Sequence, residues 1–542
     1  MRRARCLQSE AVSPPADQPA VPWWTGGVIY QVYPRSFADT NGDGIGDLAG
    51  VMAHLDHLAG TADSLGVDAV WLSPIYPSPL ADFGYDISQF SDVAAEYGTL
   101  ADLDRLVEAC HARGLRLMLD LVPCHTSIQH PWFIESRSSR ASPRRDWYTW
   151  ADPKPDGGAP SNWRAAFGGA AWELDPHTGQ YYLHSFYPEQ PDLNWRNPEV
   201  AAAIGDVMRF WFDRGIDGFR VDAITHAIKD PMLRDNPPAG PPVPPFPRDR
   251  TGLDPVWSDD QPGMTDVVRF LRGVADEYPE RLLVGEAYLP VERLARYVGA
   301  GAGEGFQRSF DFELCLIEWG AEPFRRTIDR AERLMPADVE PTWALSNHDL
   351  SRHATRFGER RTRLAALLLL ALRGTICLYA GEEIGMVDAP ASPTPLHDRF
   401  GRDRQRTPMQ WDASPGGGFT QGEPWLPLVD PAQRNVADQS PDPTSLLNHY
   451  RRLLALRRSS SALRHGALRL VPELPRDLLA WVRTSDQERV LVLANMGDAR
   501  ATVDLSAIGS DAQVMAGTGS RRGSVPLANL QLDPLEGLLL RL

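Results

Sequence analysis

The sequence is short of cysteine, of basic residues and of long apolar runs, and each shortage removes a class of protein. Five cysteines, Cys6, Cys110, Cys124, Cys315 and Cys377, are spread over 542 residues. Their number is odd and no pair has the spacing of metal ligands, so neither a disulfide framework nor a thiolate metal site is expected. Reduced thiols in a cytoplasmic protein are the simpler reading. Lys and Arg together number 55 against 71 Asp and Glu, a net charge of −16. A surface of that sign repels phosphate backbones and anionic headgroups, which argues against nucleic acid and membrane partners and for a neutral small-molecule substrate. The longest apolar run, LAALLLLAL near Leu364–Leu372, ends at Arg373 and falls short of the ~18 residues of a membrane span. Residues 1–22 start basic but contain no apolar h-region, so they read as a disordered tail rather than a signal peptide.

What is present points to a folded, multidomain chain. Hydrophobic residues make up 43% and charged residues 23%, which are globular proportions. A pattern of short β-branched or aromatic runs followed by helical stretches repeats through most of the sequence. Eight such runs read as strands: Val28–Pro34, Val67–Pro74, Leu115–Pro123, Ile216–Ala223, Arg281–Ala287, Ser309–Leu314, Thr342–Asp349 and Thr375–Glu383. Eight alternating β and α units imply an α/β fold, a closed parallel (β/α)₈ TIM barrel. About ninety residues separate the third strand from the fourth, too many for one helix, so 125–195 is expected to be an inserted subdomain. The barrel then occupies 23–124 and 196–466. From 467 to 542 the short alternating runs LLAWVRT, RVLVLANMG and GLLLRL suggest a C-terminal all-β sandwich domain. The Pro-rich stretch Asn236–Asp249 is a loop at the rim of the site.

Barrel enzymes carry their chemistry at the C-terminal ends of the strands. Here those ends supply Asp120 and His125, Arg220 and Asp222, Glu286, and Asn347, His348 and Asp349. A lone carboxylate at a strand end is ordinarily a helix cap or a solvated group; so many on one rim are not. Two carboxylates flanking a bond are what glycoside hydrolysis requires. Asp222 and Glu286 end neighbouring strands and come within the ~5–5.5 Å of a retaining enzyme. Arg220 should hold Asp222 ionised as nucleophile. The apolar context LLVGEAYL should raise Glu286 as general acid. Asp349 would oppose positive charge growing on the sugar ring.

These residues sit in motifs that occur in one order along the chain: GYDI, DLVPCHTS, QPDLN, GFRVDA, VGEAYLP, SNHDLSR, AGEEIGM and GRDRQRTPMQWD. The set resembles the α-amylase family of glycoside hydrolases, in its α-glucosidase and oligo-1,6-glucosidase branch. The resemblance implies a covalent glucosyl-enzyme on Asp222, acid/base catalysis by Glu286 and transition-state stabilisation by Asp349. It implies that His125 and His348 bond glucose hydroxyls, that Tyr85 stacks under the ring, and that Arg406 lines the pocket. It also implies that Asp82 and Arg402 grip the non-reducing end, giving exo-action on short substrates. In relatives the residue after the nucleophile goes with linkage: Val with α-1,6, and a smaller residue such as Ala223 with α-1,4.

The segment Asp39-Thr-Asn41-Gly-Asp43-Gly-Ile45-Gly-Asp47 places side-chain oxygens at alternate positions with glycines between, which suits a hard cation such as Ca²⁺ or Mg²⁺. No Glu stands at the twelfth position of a calcium-sensor loop. The family's structural cation would be held by Asp39, Asn41, Asp43, the Ile45 carbonyl and Asp47; the metal-free alternative is a loop of Asx turns. Cys124 replaces the Asn that ligates a second calcium in many amylases, so that site is not expected. Phe83 stands where Asn is usual. Transglucosylation, or isomerisation of trehalose or sucrose, remains open on the same chemistry. A non-catalytic transporter partner does not fit, because all three carboxylates are kept and no membrane helix is present. The sequence leaves monomer and homodimer open.

Overall fold

The computed structural model describes residues 21–241, 252–299, 301–392 and 395–542. Residues 1–20 of the expected tail, and 242–249 of the Pro-rich stretch, lie outside the described residues. All eight expected barrel strands form: β1 (Val28–Val32), β2 (Ala69–Leu72), β3 (Arg116–Leu121), β4 (Gly218–Val221), β5 (Leu282–Gly285), β6 (Arg308–Asp311), β7 (Thr342–Ala344) and β8 (Thr375–Tyr379). They close in sequence order, all parallel, with β1 paired to both β2 and β8. The strands are buried on both faces, which is why they read as unbroken apolar runs.

Register fixes the site. Val221 of β4 pairs with Gly285 of β5, and Asp120 of β3 with Arg220 of β4. The next residues on β4 and β5 are Asp222 and Glu286, so they leave the barrel at the same level on adjacent strands. Their amides close the last rungs, Asp222 N donating to Leu121 O at 2.8 Å and Glu286 N to Val221 O at 2.9 Å. Gly285 has no freedom to change: a Cβ there would meet the Phe306 ring at 2.6 Å.

Between β3 and β4 the chain forms a three-stranded antiparallel sheet, Trp150–Ala151, Gln180–Leu183 and Trp172–Asp175. Trp163, Ala171, Trp172 and Leu183 make its small core. It docks on the loop after β4 through Lys229, whose Nζ donates to Ser185 Oγ at 2.7 Å and lies 3.3 Å from Asp192 Oδ2. The described start of the Pro-rich stretch is tied down too: Asn236 is buried and bonded to Asn162, Trp257 and Ser258.

The C-terminal region is a six-stranded antiparallel sheet facing a two-stranded one, with Leu491, Leu493, Leu532, Leu538 and Leu540 between them. The helix Thr362–Ala371 carries the run that is too short for a membrane span. It is apolar all round because it is covered all round: the barrel lies on one side and the C-terminal sheet on the other, with Gly537 pressed against Leu364. Trp481 Nε1 and Arg483 Nη1 both donate to the last carbonyl of that helix, Ala371 O. No helix among the described residues is long and apolar enough to cross a membrane. The four described cysteines are buried free thiols.

Candidate active site

One guanidinium organises the barrel mouth. Arg220 is 2% exposed. Its Nη1 donates to Asp120 and Asp222, and its Nη2 pairs with Glu286 Oε1. Adjacent strands lie ~4.8 Å apart, and Asp222 and Glu286 leave two of them at one level and share this one guanidinium. Asp120, which the sequence reading left without a role, completes the clamp: its other oxygen accepts from Trp71 Nε1 at 2.9 Å. Burial, opposed by Arg220, pushes Asp120 up to about 6.

Asp222 and Glu286 differ from the expectation in one respect. The sequence reading had Arg220 holding Asp222 ionised. In the structure burial outweighs Arg220, with Asp120 and Asp349 adding repulsion, and Asp222 rises to about 7. Glu286 is raised further, to about 8, by burial and by repulsion from Asp222 and Asp349, with Arg220 opposing. The order is the useful one, since the lower of the pair ionises first. Glu286 Oε2 also accepts from the backbone N–H of Ala223 at 2.9 Å. Ala223 is held with φ 40° and ψ 38°, a left-handed conformation unusual for a residue with a Cβ.

Asp349 enters from the loop after β7, across the mouth. Its Oδ1 accepts from Arg402 Nη1 at 3.0 Å and Arg406 Nη2 at 2.9 Å. Burial alone would raise it, but His348, Arg402 and Arg406 hold it well below the usual carboxylate range. It is ionised wherever Glu286 is protonated. His348 lies between the rings of Tyr33 and Tyr85. Gln31 Nε2 and Tyr85 Oη lie 2.7 Å from its two ring nitrogens. Burial, with the nearby arginines, pushes His348 down to about 3, so the ring is neutral.

The Asp82–Arg402 pair forms in the structure and is buried. Gln190, from the QPDLN motif, bridges it to His125: its Nε2 lies 2.9 Å from Asp82 Oδ2 and 3.0 Å from His125 Nε2. Three further residues had no signal in the sequence. Asp398 grips Arg402 through Nε at 3.0 Å and Nη2 at 2.8 Å. Phe167 of the inserted region and Phe400 meet at 4.6 Å, and both rings lie over the Arg402 guanidinium. They are 233 positions apart in the sequence. Five buried groups around the pocket, His125 Nδ1, Arg406 Nη1, Tyr33 Oη, Gln31 Oε1 and Arg220 Nε, have no hydrogen-bond partner among the described residues.

The loop Asp39–Asp47 lies beside this pocket. Asp39 Oδ1 accepts from the Asn41 and Gly42 amides, Asn41 Oδ1 from Asp43 N and Asp43 Oδ1 from Ile45 N, at 2.8–3.0 Å. Asp47 Oδ2 accepts from Thr40 N at 2.9 Å. The donors are all hard oxygens, which fits Ca²⁺ or Mg²⁺ in kind. Asp39, Asn41 and Asp43 also serve the loop as Asx turns, Asp47 caps the next helix, and no three Asp, Glu, His or Cys converge as a ligand set among the described residues. At the position of the amylase second calcium, Cys124 Sγ instead donates to Ala223 O at 3.2 Å.

A parallel barrel with paired carboxylates, a third acid and a neutral histidine at its C-terminal mouth defines a carbohydrate hydrolase by fold and site. Residues 31–466 match the family described as alpha amylase, catalytic domain. The chain is 42% identical over 522 residues to a probable alpha-glucosidase of Rhizobium meliloti (strain 1021), covering 90% of this chain and 92% of that one. It is 37% identical over 533 residues to an oligo-1,6-glucosidase of Heyndrickxia coagulans, covering 89% and 93%. The solved structure of the alpha-glucosyl transfer enzyme XgtA superposes with a TM-score of 0.89 at 40% identity, over 96% of this chain and 99% of that one. The trehalulose synthase MutB from Pseudomonas mesoacidophila MX-45 superposes with a TM-score of 0.86 at 33% identity, over 96% and 100%. The chain belongs to the α-amylase family of glycoside hydrolases, and within it to the branch of the α-glucosidases and oligo-1,6-glucosidases.

Proposed function

We propose that the chain is a retaining, exo-acting α-glucosidase that releases terminal non-reducing α-linked glucose from short oligosaccharides or glucosides, α-1,4 links in preference. The observation that carries this reading is the pair of carboxylates, Asp222 and Glu286, held at one level by the single buried guanidinium of Arg220. Asp222 attacks the anomeric carbon while Glu286 gives its proton to the glycosidic oxygen and the C–O bond breaks. Asp349 stays ionised and opposes the positive charge on the ring. Glu286, now a carboxylate, takes a proton from water, whose oxygen displaces Asp222 and frees glucose. The unpartnered His125 Nδ1 and Arg406 Nη1 are satisfied by glucose hydroxyls, and Tyr85 lies under the ring. Asp82 and Arg402, closed over by Phe167 and Phe400, end the pocket behind one sugar and so favour exo-action. A Ca²⁺ or Mg²⁺ on Asp39, Asn41, Asp43, the Ile45 carbonyl and Asp47 would be structural, fixing that loop.

A second reading is transfer to a sugar hydroxyl in place of water. The likeness to an alpha-glucosyl transfer enzyme and to a trehalulose synthase favours it. Assay of maltose, isomaltose, sucrose, trehalose and kojibiose for free glucose, with chromatography of all products, separates the two. Hydrolysis yields only monosaccharides at early times, glucose with fructose from sucrose; transfer yields a new disaccharide or trisaccharide. Shortening of starch from within its chains overturns exo-action.

A further inference from the structure

A second cavity lies on the seam between the barrel and the C-terminal sheet, outside the carboxylate site. It encloses about 570 Å³ and is lined by Arg360, Arg363 and Arg521 together with the turns at 518–520 and 533–536. A cavity of about 390 Å³ continues it past Arg360 and Leu535. The combined space is the size of a small organic ligand site.

The chain carries −16 overall, whereas the lining of the two cavities is balanced, Arg360, Arg361, Arg363 and Arg521 against Glu359, Asp498, Asp533 and Glu536. Each of those carboxylates is paired with an arginine, and Arg360 and Arg363 have no ion pair among the described residues. Arg363 Nη2 donates to the Thr444 carbonyl. Arg452 Nη1 donates to Pro443 O at 2.8 Å, and Arg522 Nη1 to Arg521 O at 2.7 Å. Arg360 has no hydrogen bond or ion pair among the described residues. The nearby carboxylates are already engaged: Glu536 pairs with Arg521 at 2.7 Å, Asp533 with Arg500 at 2.8 Å, and Asp442 accepts from Thr444 at 2.7 Å. Burial, reinforced by Arg452, lowers Arg363; burial, reinforced by Arg522, lowers Arg452. The Arg360 side chain and the remaining donors of Arg363, beyond its bond to Thr444 O, meet no acceptor among the described residues.

We propose that this seam cavity is a binding site for a small multivalent oxyanion, a phosphate group free or carried on a sugar. Guanidiniums offer forked donors matched to phosphate oxygens, and a phosphate here would relieve their repulsion. Arg360 and Arg363 belong to the barrel and Arg521 to the C-terminal sheet, so a bound phosphate clamps the two regions together.

Isothermal titration of the full-length protein with inorganic phosphate and with glucose 6-phosphate, at constant ionic strength with chloride as control, tests this. The wild type should bind one equivalent of phosphate saturably and chloride not at all. Arg363→Gln/Arg452→Gln, and independently the exposed Arg360→Ala, should weaken binding by about tenfold or more, with glucose release unchanged. Tighter binding of the sugar phosphate identifies a carried phosphate as the ligand; equal binding identifies the free ion; both support the site. Absence of saturable binding to the wild type, or the same affinity in all three proteins, overturns it. Loss of phosphate binding on blocking the active site with a glucose-like inhibitor, with the arginine variants unaffected, also overturns it by placing the anion at the carboxylate site.

Discussion

Ala223→Val changes two things at once, and the structure separates them. Ala223 follows Asp222, the proposed nucleophile, is only partly buried, and donates its N–H to Glu286 Oε2 at 2.9 Å. A valine there adds two methyl groups beside the path of the second sugar. Pocket differences of that size are worth about 1–3 kcal/mol, or roughly 10- to 200-fold in specificity. The ratio of kcat/KM for maltose over isomaltose should fall by that factor. The backbone imposes the second effect. With φ at 40°, a β-branched side chain is a steric outlier, and such strain costs about 1–3 kcal/mol. The Val variant should therefore melt below wild type. Ala223→Gly, which has no Cβ to strain, should melt at or above wild type and keep the α-1,4 preference. The assay is kcat/KM on both disaccharides for the three proteins, with a melting temperature for each. A wild type that prefers isomaltose, or a Val variant whose ratio moves by less than about twofold, refutes the steric argument.

Three other outcomes follow from the same site. Activity requires Asp222 ionised and Glu286 protonated, so kcat/KM should rise as pH increases through about 7 and fall as it passes about 8; a profile flat from pH 5 to 9 removes one of them from its role. Asp82→Ala removes a carboxylate paired with Arg402 and leaves Gln190 Nε2 without that acceptor; kcat/KM on maltose should fall by about 1.5–3 kcal/mol, roughly 10- to 150-fold, and an unchanged value means that the pair does not hold substrate. Exhaustive chelation should lower the melting temperature more than it lowers glucose release at 25 °C, because a cation at Asp39–Asp47 stabilises the folded state by mass action; an unchanged melting temperature counts against an exchangeable ion there.

The barrel was legible because its strands are buried on both faces and so stand out as apolar runs, each followed by helix. Their ends were read long: the reading carried the first strand to Pro34, but the ladder stops at Val32, and the residues beyond it belong to the loops that build the site. Strand ends also exposed Asp222, Glu286 and Asp349, since position on a barrel strand predicts which way a residue faces. What escaped the reading depends on distance in sequence. Phe167 and Phe400 come together only once the inserted region folds over the loop that carries Arg402. Asp398 lies four residues from Arg402 in a segment without periodicity, so nothing marked it as the second carboxylate on that guanidinium. The raised Asp222 was not legible because an arginine two residues away is visible in sequence, whereas the depth of burial and the convergence of Asp120 on the same guanidinium are not. The left-handed φ of Ala223 is equally hidden, because alanine gives no sign of it.

The central claim is that Asp222 and Glu286 act as a retaining pair on α-linked glucose. The direct measurement is the anomeric form of the glucose first released, followed by proton NMR within the first minutes of aryl α-glucoside hydrolysis, where all the glucose comes from the cleaved bond, before mutarotation mixes the anomers. Two displacements at one carbon, through a glucosyl ester on Asp222, predict that the α-anomer appears first and the β-anomer grows in later. Initial release of β-glucose would mean a single displacement by water, and would contradict the account.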